Sequence, residues 1–350
     1  MNSGKSVFPA DVSREGPFSG EVTGIGMLDS RPIRLFDMFC GGGGSSRGAV
    51  MAGATPVAAL DMWRLAAETY KRNFTNTTVY RMKASSLTPR RVLEDIGGVD
   101  LLLASPECTS HSVAKGNRPR CEKSRATAFE VIRFARVLKP RWVVVENVMQ
   151  MERWHRFDEW RGKLEAIGYN TTVGVLDSQY YSTPQARRRM FVVCDLEAEP
   201  SLPKPKRRTR KTVWSILGRG EPGSTPWGFS PVDTPQRAEA TIERAKRAIG
   251  ELGKKSPFIM VYYGTDGAGG FQTLDRPLRT ITTLDRFAYV KPNGRGHEMR
   301  MLQPPELAAA MGFPSCHIWP ESSRRNRIRL IGNAVCPPVM RDVVKALIRD

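Results

Sequence analysis

The sequence of 350 residues predicts a doubly wound α/β sheet accompanied by a second, smaller domain. Up to Cys194, short apolar runs alternate with segments of helical periodicity, which is typical of a sheet with helices on both faces. The first apolar run is followed by glycines at 41–44, which allow a tight turn from a first strand into a helix. After Cys194 the sequence is rich in Pro, Gly, Lys and Arg and contains few long periodic elements.

The strands and helices of the first domain follow from the spacing of apolar residues. Strands are predicted at 33–39, 57–60, 101–104, 142–145, 172–176 and 190–193. Helices are predicted at 45–52, at 127–137, at 152–166 and around the apolar positions Leu65, Ala66, Thr69 and Tyr70. Residues 1–30 are rich in Gly, Ser, Pro and charged side chains, and we expect a flexible lead-in there.

The second domain is predicted at 195–324, and the first domain, at 31–194, is completed by 325–350. The later elements are a helix at 236–252, strands at 258–263, 280–283 and 287–290, and a helix entered through prolines at 337–348. A basic run opens this domain and contains Lys204, Lys206, Arg207, Arg208, Arg210 and Lys211. Most charge runs are solvated linkers, and the alternative is an arm that contacts phosphates.

The charge of the chain indicates a polyanionic partner. Lys and Arg number 54 against 35 Asp and Glu, which gives a formal net charge of +19 and makes nucleic acid the first candidate. A membrane-surface role needs a basic amphipathic helix with bulky apolar anchors, and none is evident. The sequence has no apolar run of about 18 residues for a membrane span and no signal-peptide core near its start. Its ordinary apolar and charged fractions exclude disorder, collagen and coiled coil for the bulk.

Metal binding and a disulfide framework are poorly supported. None of the six cysteines forms a Cys-x-x-Cys pair, their spacing is irregular, and the sequence has only four histidines. This composition predicts no metal site and favours a reduced, cytoplasmic compartment. A single special thiol is compatible with such a composition.

The glycine turn and an acidic residue indicate a nucleoside-containing cofactor. The glycines do not follow the dinucleotide pattern G-x-G-x-x-G, and without a following Gly-Lys-Ser/Thr they do not form a P-loop. Asp61 ends the second predicted strand, where its carboxylate can accept hydrogen bonds from ribose hydroxyls. A purely structural glycine turn is the alternative.

Three further motifs place reactive groups at the ends of predicted strands. Cys108 follows the strand at 101–104 among polar neighbours, and Glu146 follows the strand at 142–145. Arg187 and Arg189 share one face, because side chains alternate along an extended segment. Ligands bind at the carboxyl edge of open α/β sheets, so we expect the thiol, the carboxylate and the arginines to converge there.

In their order along residues 33–348, these motifs resemble those of the cytosine-C5 DNA methyltransferase family. The motifs are residues 39–44, Asp61, the Cys108 loop, Glu146-Asn147-Val148, Gln185-x-Arg187-x-Arg189, residues 276–282 and residues 332–335. The resemblance implies a Rossmann-like methyltransferase sheet, a small target-recognition domain and the cofactor S-adenosylmethionine. The cofactor-binding residues that it implies are Phe39, Gly41, Gly42, Gly43, Asp61, Met62, Ser85 and Asn333.

The resemblance also implies the catalytic groups, which are Cys108, Glu146, Arg187 and Arg189. Cys108 adds to C6 of a flipped-out cytosine and so makes C5 nucleophilic, Glu146 contacts N3, and Arg187 stabilises the charge at O2. The contacts to DNA are expected from His111, Lys115, Arg118, Gln185, Lys206, Arg207 and Arg208.

Two residues beside the thiol differ from the usual pattern of this family. Glu107 stands where the family usually has Pro, and Thr109 stands where it has Gln. A carboxylate next to Cys108 would disfavour the thiolate form of that side chain. Alternatively, Glu107 faces the positively charged cofactor.

The expected function is site-specific methylation of cytosine C5 in duplex DNA by a monomeric, cytoplasmic enzyme at the nucleoid, of bacterial or phage origin. A cognate restriction endonuclease is one candidate partner. An RNA cytosine methyltransferase and a catalytically silent DNA-binding relative are the alternatives. The excess positive charge is expected to line one cleft between the Cys108 edge and residues 195–300, with Arg187 and Arg189 at its floor. Further arginines expected to extend this cleft are Arg324, Arg325, Arg327 and Arg329.

Overall fold

The structure, a computed structural model, describes residues 27–28, 31–107, 127–205, 210–218, 228–263 and 270–348. Within these ranges the chain forms a sheet of seven strands, a sheet of five strands and a two-stranded ribbon. The ribbon pairs β1 (Met27–Leu28) with β2 (Arg31–Pro32). The rest of the lead-in predicted at 1–30 lies outside the described residues.

The seven-stranded sheet contains every strand predicted before Cys194, with small differences at the ends. Its strands are β3 (Arg34–Met38), β4 (Thr55–Leu60), β5 (Thr78–Tyr80), β6 (Leu101–Ala104), β7 (Trp142–Asn147), β8 (Asn170–Asp177) and β9 (Arg188–Asp195). In the spatial order β5-β4-β3-β6-β7-β9-β8, the first five strands are parallel, and β9 runs antiparallel to both of its neighbours. The doubly wound α/β fold is confirmed, and the short strand β5 is an addition that the sequence analysis missed.

Helices lie between these strands, and further helices lie between and after the strands of the second sheet. They are α1 (Gly44–Val50), α2 (Arg64–Asn73), α3 (Pro89–Ile96), α4 (Ala128–Leu138), α5 (Phe157–Glu165), α6 (Glu239–Leu252), α7 (Pro304–Ala310), α8 (Arg324–Asn333) and α9 (Pro337–Leu347). The helix predicted at 152–166 begins only at Phe157, because a 3-10 segment, Met149–Arg153, precedes it. The sequence analysis missed α3, although Thr88 caps its N-terminus by accepting a hydrogen bond from the Arg91 N–H.

The second sheet is antiparallel throughout. It consists of β10 (Ser230–Pro231), β11 (Phe258–Val261), β12 (Phe271–Thr273), β13 (Phe287–Pro292) and β14 (His297–Met301), in the order β10-β14-β13-β11-β12. Helix α6 packs against it, because Ala245 and Ala248 belong to the same buried cluster as Phe258 and Met260. The predicted second, smaller unit therefore has a sheet and an apolar cluster of its own.

The prediction of a strand at 280–283 is wrong, because this segment is irregular. The Ile281 N–H donates to Oε1 of Gln185 at 3.0 Å, and the Ile281 carbonyl accepts from Nη1 of Arg187 at 2.8 Å. These backbone groups are satisfied by side chains and are not available for a strand ladder. The β-branched run thus serves as a hydrogen-bonding partner for the Gln-x-Arg motif.

One apolar core crosses the domain boundary predicted at 195. Leu35 and Val144 of the first sheet lie in the same buried cluster as Ile259 and Phe287 of the second. The boundary itself therefore stays a prediction. Among the described helices, none has the length and apolar character needed to cross a lipid bilayer.

Candidate active site

The carboxyl ends of four parallel strands lie side by side at one edge of the large sheet. In the register of these strands, Met38 is paired with Leu60 and with Ala104, and Ala104 is paired with Val145. Asp61, Phe39, Ser105 and Glu146 are the residues that directly follow these strand positions. The structure thus brings the sequence-predicted acidic residues together at the edge where open α/β sheets bind ligands.

The glycine turn combines open space with close packing. Gly41 has a φ angle of 51°, and a Cβ atom there would meet nothing within 4 Å. Gly43 has a φ angle of 83°, and a Cβ atom there would stand 2.7 Å from the Phe74 ring. Phe39, at the start of the turn, also has a positive φ angle of 59°. The turn therefore leaves an open surface at Gly41 and needs glycine at 43 for packing.

Asp61 connects this turn to the end of β4. Its Oδ2 accepts the Gly41 N–H at 2.9 Å, and its Oδ1 accepts the Trp63 N–H at 2.8 Å. Burial raises the pKa of Asp61, these two hydrogen bonds oppose the increase, the charge of Glu107 adds to it, and Arg329 lowers it. Each carboxylate oxygen keeps acceptor capacity for one more donor, such as a ribose hydroxyl.

The surroundings of Asp61 fit a nucleoside. Met62 is 59% exposed, which leaves an apolar side chain beside the glycine turn for a base to cover. Ser85 is exposed in the turn Ala84–Ser86 that follows β5, at the same edge of the sheet. Asn333 is exposed at the end of α8. The cofactor contacts of these residues remain predictions.

Glu146 is buried beside two arginines. It is 6% exposed, and Nε of Arg189 lies 3.2 Å from its Oε1. Burial raises the pKa of Glu146, while the charges of Arg189 and Arg187 lower it. A small cavity at this position is lined by Glu146, Leu176, Ser178, Arg187, Arg189, Phe191, Val335, Cys336 and Val339. The arrangement provides a carboxyl group that can hold a proton close to fixed positive charge.

Arg187 is held by backbone carbonyls from two distant segments. Its Nη1 donates to the Ile281 carbonyl at 2.8 Å, and its Nη2 donates to the carbonyls of Gly332 at 2.9 Å and Ala334 at 3.3 Å. The side chain is only 4% exposed. The guanidinium therefore joins the Gln-x-Arg motif to the two later motifs and has a fixed position next to Glu146.

Gln185 does not fit the predicted contact with DNA. Its side chain is fully buried, its Oε1 accepts the Ile281 N–H at 3.0 Å, and its Nε2 contacts Sδ of Met311 at 2.8 Å. A side chain that is closed off from solvent in this way does not favour a contact with the DNA surface, and the contact stays a prediction. Gln185 instead fixes the segment that holds Arg187.

Asn147, to which the sequence analysis assigned no role of its own, joins the ends of two neighbouring strands. Its Nδ2 donates to the Pro106 carbonyl at 3.0 Å, and its Oδ1 accepts the Val148 N–H at 2.8 Å. The signal that could have revealed it is its place directly after Glu146. Cys108, the predicted nucleophile, and the loop residues His111, Lys115 and Arg118 lie outside the described residues.

A buried polar network lies under the glycine turn. The Ser46 hydroxyl donates to Oδ2 of Asp37 at 2.7 Å and lies 2.6 Å from the hydroxyl of Tyr70. Burial raises the pKa of Asp37 to about 7. Asp37 was also missed, although an acidic residue inside the apolar run at 33–39 is a signal for such a network.

An aromatic cluster covers the other side of the turn. The Phe313, His317 and Trp319 rings lie 4.6 to 4.9 Å apart, and a Cβ atom at Gly42 would stand 3.2 Å from the Trp319 ring. Burial lowers the pKa of His317 to about 3. The cluster therefore packs against the turn as an uncharged wall.

The predicted basic cleft stays a prediction, and the structure describes only some of its residues. Arg324 pairs with Asp285 at 2.7 Å and also donates to Oε1 of Gln303, which indicates a structural role. Arg329 is exposed, and its guanidinium lies 4.7 Å from the Trp63 ring centre. The described part of the basic run includes Arg210, which stacks on Tyr180 at 5.0 Å beside an open cleft of about 420 Å³. Lys206, Arg207 and Arg208 lie outside the described residues.

Comparison with known families identifies the class of the protein. Residues 33–349 match the family described as C-5 cytosine-specific DNA methylase. The match covers nearly the whole chain, and the protein belongs to this family. Membership implies S-adenosylmethionine as the cofactor. This agrees with the remaining acceptor capacity of Asp61, which suits the ribose hydroxyls of a nucleoside.

The related proteins include named Type II methyltransferases. The chain is 30% identical over 196 residues to M.HindV of Haemophilus influenzae, covering 53% of this chain and 62% of the relative. It is 28% identical over 169 residues to M.DdeI of Desulfomicrobium norvegicum, covering 46% of this chain and 40% of the relative. The matched segment thus spans about half the length of these relatives. M1.BsuMI of Bacillus subtilis is 24% identical over 88% of this chain and 78% of its own length.

Solved structures share the fold. A mutant of Spodoptera frugiperda DNMT2 superposes with a TM-score of 0.65 at 18% identity, covering 90% of this chain and 99% of that one. The Entamoeba histolytica methyltransferase EhMeth gives a TM-score of 0.66 at 16% identity, covering 91% of this chain and 99% of that one. At such identities the likeness concerns the fold alone.

Proposed function

We propose that this protein is a site-specific DNA methyltransferase that transfers a methyl group from S-adenosylmethionine to C5 of cytosine in duplex DNA. The observation that carries the proposal is the buried Glu146 beside Arg187 and Arg189, on the same sheet edge as Asp61. Family membership and the names of the Type II relatives support DNA as the substrate. The net charge of +19 suits a polyanion.

The proposed chemistry assigns one task to each group. The Cys108 thiolate forms a bond to C6 of cytosine, and the electron pair of the C5–C6 double bond moves toward N3 and O2. A protonated Glu146 donates to N3, and the nearby guanidiniums stabilise the charge at O2. S-Adenosylmethionine, when bound, supplies an electrophilic methyl group for C5. Loss of the C5 proton to water and of the Cys108 thiolate from C6 then restores the aromatic ring, and the proton at N3 returns to Glu146.

Selection of the base is proposed to reside at Glu146. Its carboxyl group can donate to N3 of cytosine and accept from the exocyclic amine, whereas thymine offers N–H and a carbonyl at those positions. The base must leave the helical stack to reach this buried carboxyl group. His111, Lys115 and Arg118 are proposed to contact the DNA as the base leaves the stack, and Lys206, Arg207 and Arg208 to contact the flanking phosphates.

A covalent trap tests the proposal. A duplex with 5-fluorocytosine at the target position should give a stable adduct with the wild type, since fluorine cannot leave C5 as a proton does. Cys108→Ser should abolish the adduct and keep DNA affinity. Cys316→Ser, at an exposed free thiol, is the matched control and should form the adduct normally. Tight DNA binding without an adduct in the wild type would contradict the enzymatic function and favour a silent DNA-binding relative.

The target sequence and the nucleic acid are found by two further measurements. Bisulfite sequencing of DNA from a host that expresses the chain reports the modified cytosines and their sequence context. Tritium transfer from labelled cofactor is compared between duplex DNA and tRNA. Label in tRNA alone would overturn the proposed substrate in favour of RNA.

A further inference from the structure

Glu107 is an exposed acidic residue at the carboxyl edge of the sheet, directly before the proposed nucleophile. It follows β6 after Ser105 and Pro106, and both of these residues have fixed positions. The Ser105 N–H donates to the Met38 carbonyl at 3.2 Å, and the Pro106 carbonyl accepts from Asn147 at 3.0 Å. The backbone that leads to Glu107 is therefore attached to the strands on both sides of β6.

Asp61 and Glu107 flank the glycine turn. The turn follows β3, Asp61 follows the neighbouring strand β4, and Glu107 follows β6 on the other side. The Cys40 N–H donates to the Leu60 carbonyl at 3.1 Å, which holds the turn to the Asp61 side. Burial is the main cause of the raised pKa of Asp61, and the charge of Glu107 adds to it, as expected for two carboxyl groups on opposite sides of the turn.

Two carboxylates on one small surface repel each other, and a cation placed between them removes this cost. The guanidinium of Arg329, which lies over the Trp63 ring, offsets part of this repulsion at Asp61. A ligand with a positive charge near the turn gains more from this surface than an uncharged ligand of the same shape. S-Adenosylmethionine carries a sulfonium, whereas the product S-adenosylhomocysteine carries an uncharged thioether and is otherwise closely similar.

We propose that Glu107, acting with Asp61 across the glycine turn, makes the cofactor site discriminate in favour of the sulfonium of S-adenosylmethionine over the uncharged sulfur of S-adenosylhomocysteine. The inference rests on the proposed methyltransferase function. It gives Glu107 the task of favouring release of the spent cofactor, which limits inhibition by the product.

Isothermal titration of the full chain with three ligands tests the inference. The ligands are S-adenosylmethionine, S-adenosylhomocysteine and sinefungin, whose amine places a positive charge near the sulfonium position. Glu107→Gln keeps the size of the side chain and removes its charge. It should weaken the binding of S-adenosylmethionine and of sinefungin by about 5- to 10-fold. The affinity for S-adenosylhomocysteine should stay within about 2-fold of the wild-type value. The effect should shrink as salt is added, because screening weakens a partly exposed charge.

Glu94→Gln, at an exposed position on α3, is the matched control and should leave all three affinities unchanged. Equal weakening of all three ligands by Glu107→Gln would assign a purely structural role to Glu107 and overturn the inference. Unchanged affinities would overturn it as well. They would favour the alternative in which Glu107 acts on the neighbouring Cys108 thiol. Failure of the proposed function has a different signature, since the wild type would then bind the ligands and transfer no methyl group to DNA.

Discussion

The Asn147 side chain donates a hydrogen bond to the Pro106 carbonyl at 3.0 Å and so connects the strand that carries Glu146 to the segment that leads into Cys108. The two residues lie 41 positions apart in the sequence. This bond joins the end of the strand that carries Glu146 to Pro106, the last residue but one before Cys108 in the sequence.

Asn147→Ala should slow adduct formation more than it weakens cofactor binding. The change leaves the buried Pro106 carbonyl and the Val148 N–H without their side-chain partner, at a cost of about 1–3 kcal/mol. We expect the rate of trapping by 5-fluorocytosine DNA to fall by about 10- to 100-fold, since small displacements of a reacting group are costly. Asn170→Ala, which removes a hydrogen bond far from this edge, is the control. A normal trapping rate in Asn147→Ala would contradict the positioning role.

Glu146→Gln should change the pH dependence of trapping. Burial raises the pKa of Glu146, so the proton needed at N3 is retained to higher pH than on an exposed Glu and is lost as pH rises through the raised pKa. Gln donates without titrating, so the ratio of wild-type to variant rates should fall as pH rises, from roughly 100-fold at the acidic end. A ratio independent of pH would argue against a protonated Glu146.

Asp37→Asn should remove a pH dependence of stability. The pKa of Asp37 is about 7 in the folded protein, against about 3.9 in an unfolded chain. The folded state therefore holds this proton more tightly than the unfolded chain does. The stabilisation of the folded state by this proton is fully present below about pH 4 and is lost as pH rises through about 7. Between about pH 4.5 and 7.5, the wild type should lose about 3 kcal/mol that the variant does not lose.

Urea unfolding at several pH values measures this difference. Asp158→Asn, at an exposed carboxylate on α5, should show the same pH profile as the wild type. Parallel profiles for the wild type and Asp37→Asn would show that Asp37 is ionised throughout.

Gln185→Ala should affect folding and leave the electrostatics of DNA binding unchanged. The Ile281 N–H would lose its acceptor in the interior, which lowers the free energy of unfolding by about 1–3 kcal/mol. The dependence of DNA affinity on salt should stay as in the wild type, because no phosphate contact is removed. Lys206→Ala, at one of the cations proposed to contact the flanking phosphates, should reduce the salt slope by about one unit. A loss of DNA affinity in the folded Gln185→Ala variant would restore the DNA contact predicted from the sequence.

Gly44→Ala should destabilise the protein, whereas Gly250→Ala should stabilise it. A Cβ atom at Gly44 would stand 2.3 Å from the Val335 carbonyl oxygen, and relief of this clash requires α1 to move from the segment that enters α9, at a cost of about 1–3 kcal/mol. Gly250 lies within α6 with open space around it, so Ala should add about 0.5–1 kcal/mol by its helix propensity. Thermal unfolding of the two variants measures both effects. Equal shifts in their melting temperatures would exclude the close contact at Gly44.

Much of the fold could be predicted from local patterns. Apolar runs revealed the strands up to Cys194, because a strand buried on both faces needs apolar residues throughout. The short strand β5 escaped detection, since Thr78–Tyr80 offers too few residues for a period to be recognised. The run at 280–283 has the composition of a strand, yet its backbone bonds to Gln185 and Arg187, which lie more than 90 positions earlier in the chain.

The sequence by itself determined the doubly wound fold, the order of the motifs and the acidic residues at the strand ends, because these depend on neighbouring residues and on the geometry of parallel strands. Only the tertiary structure decided that Gln185 is buried, that Asn147 holds Pro106 and that Asp61 and Glu107 follow the two strands on either side of the glycine turn. The physical reason is that a hydrogen bond or a charge interaction between distant segments depends on their packing, and no local pattern records which segments meet.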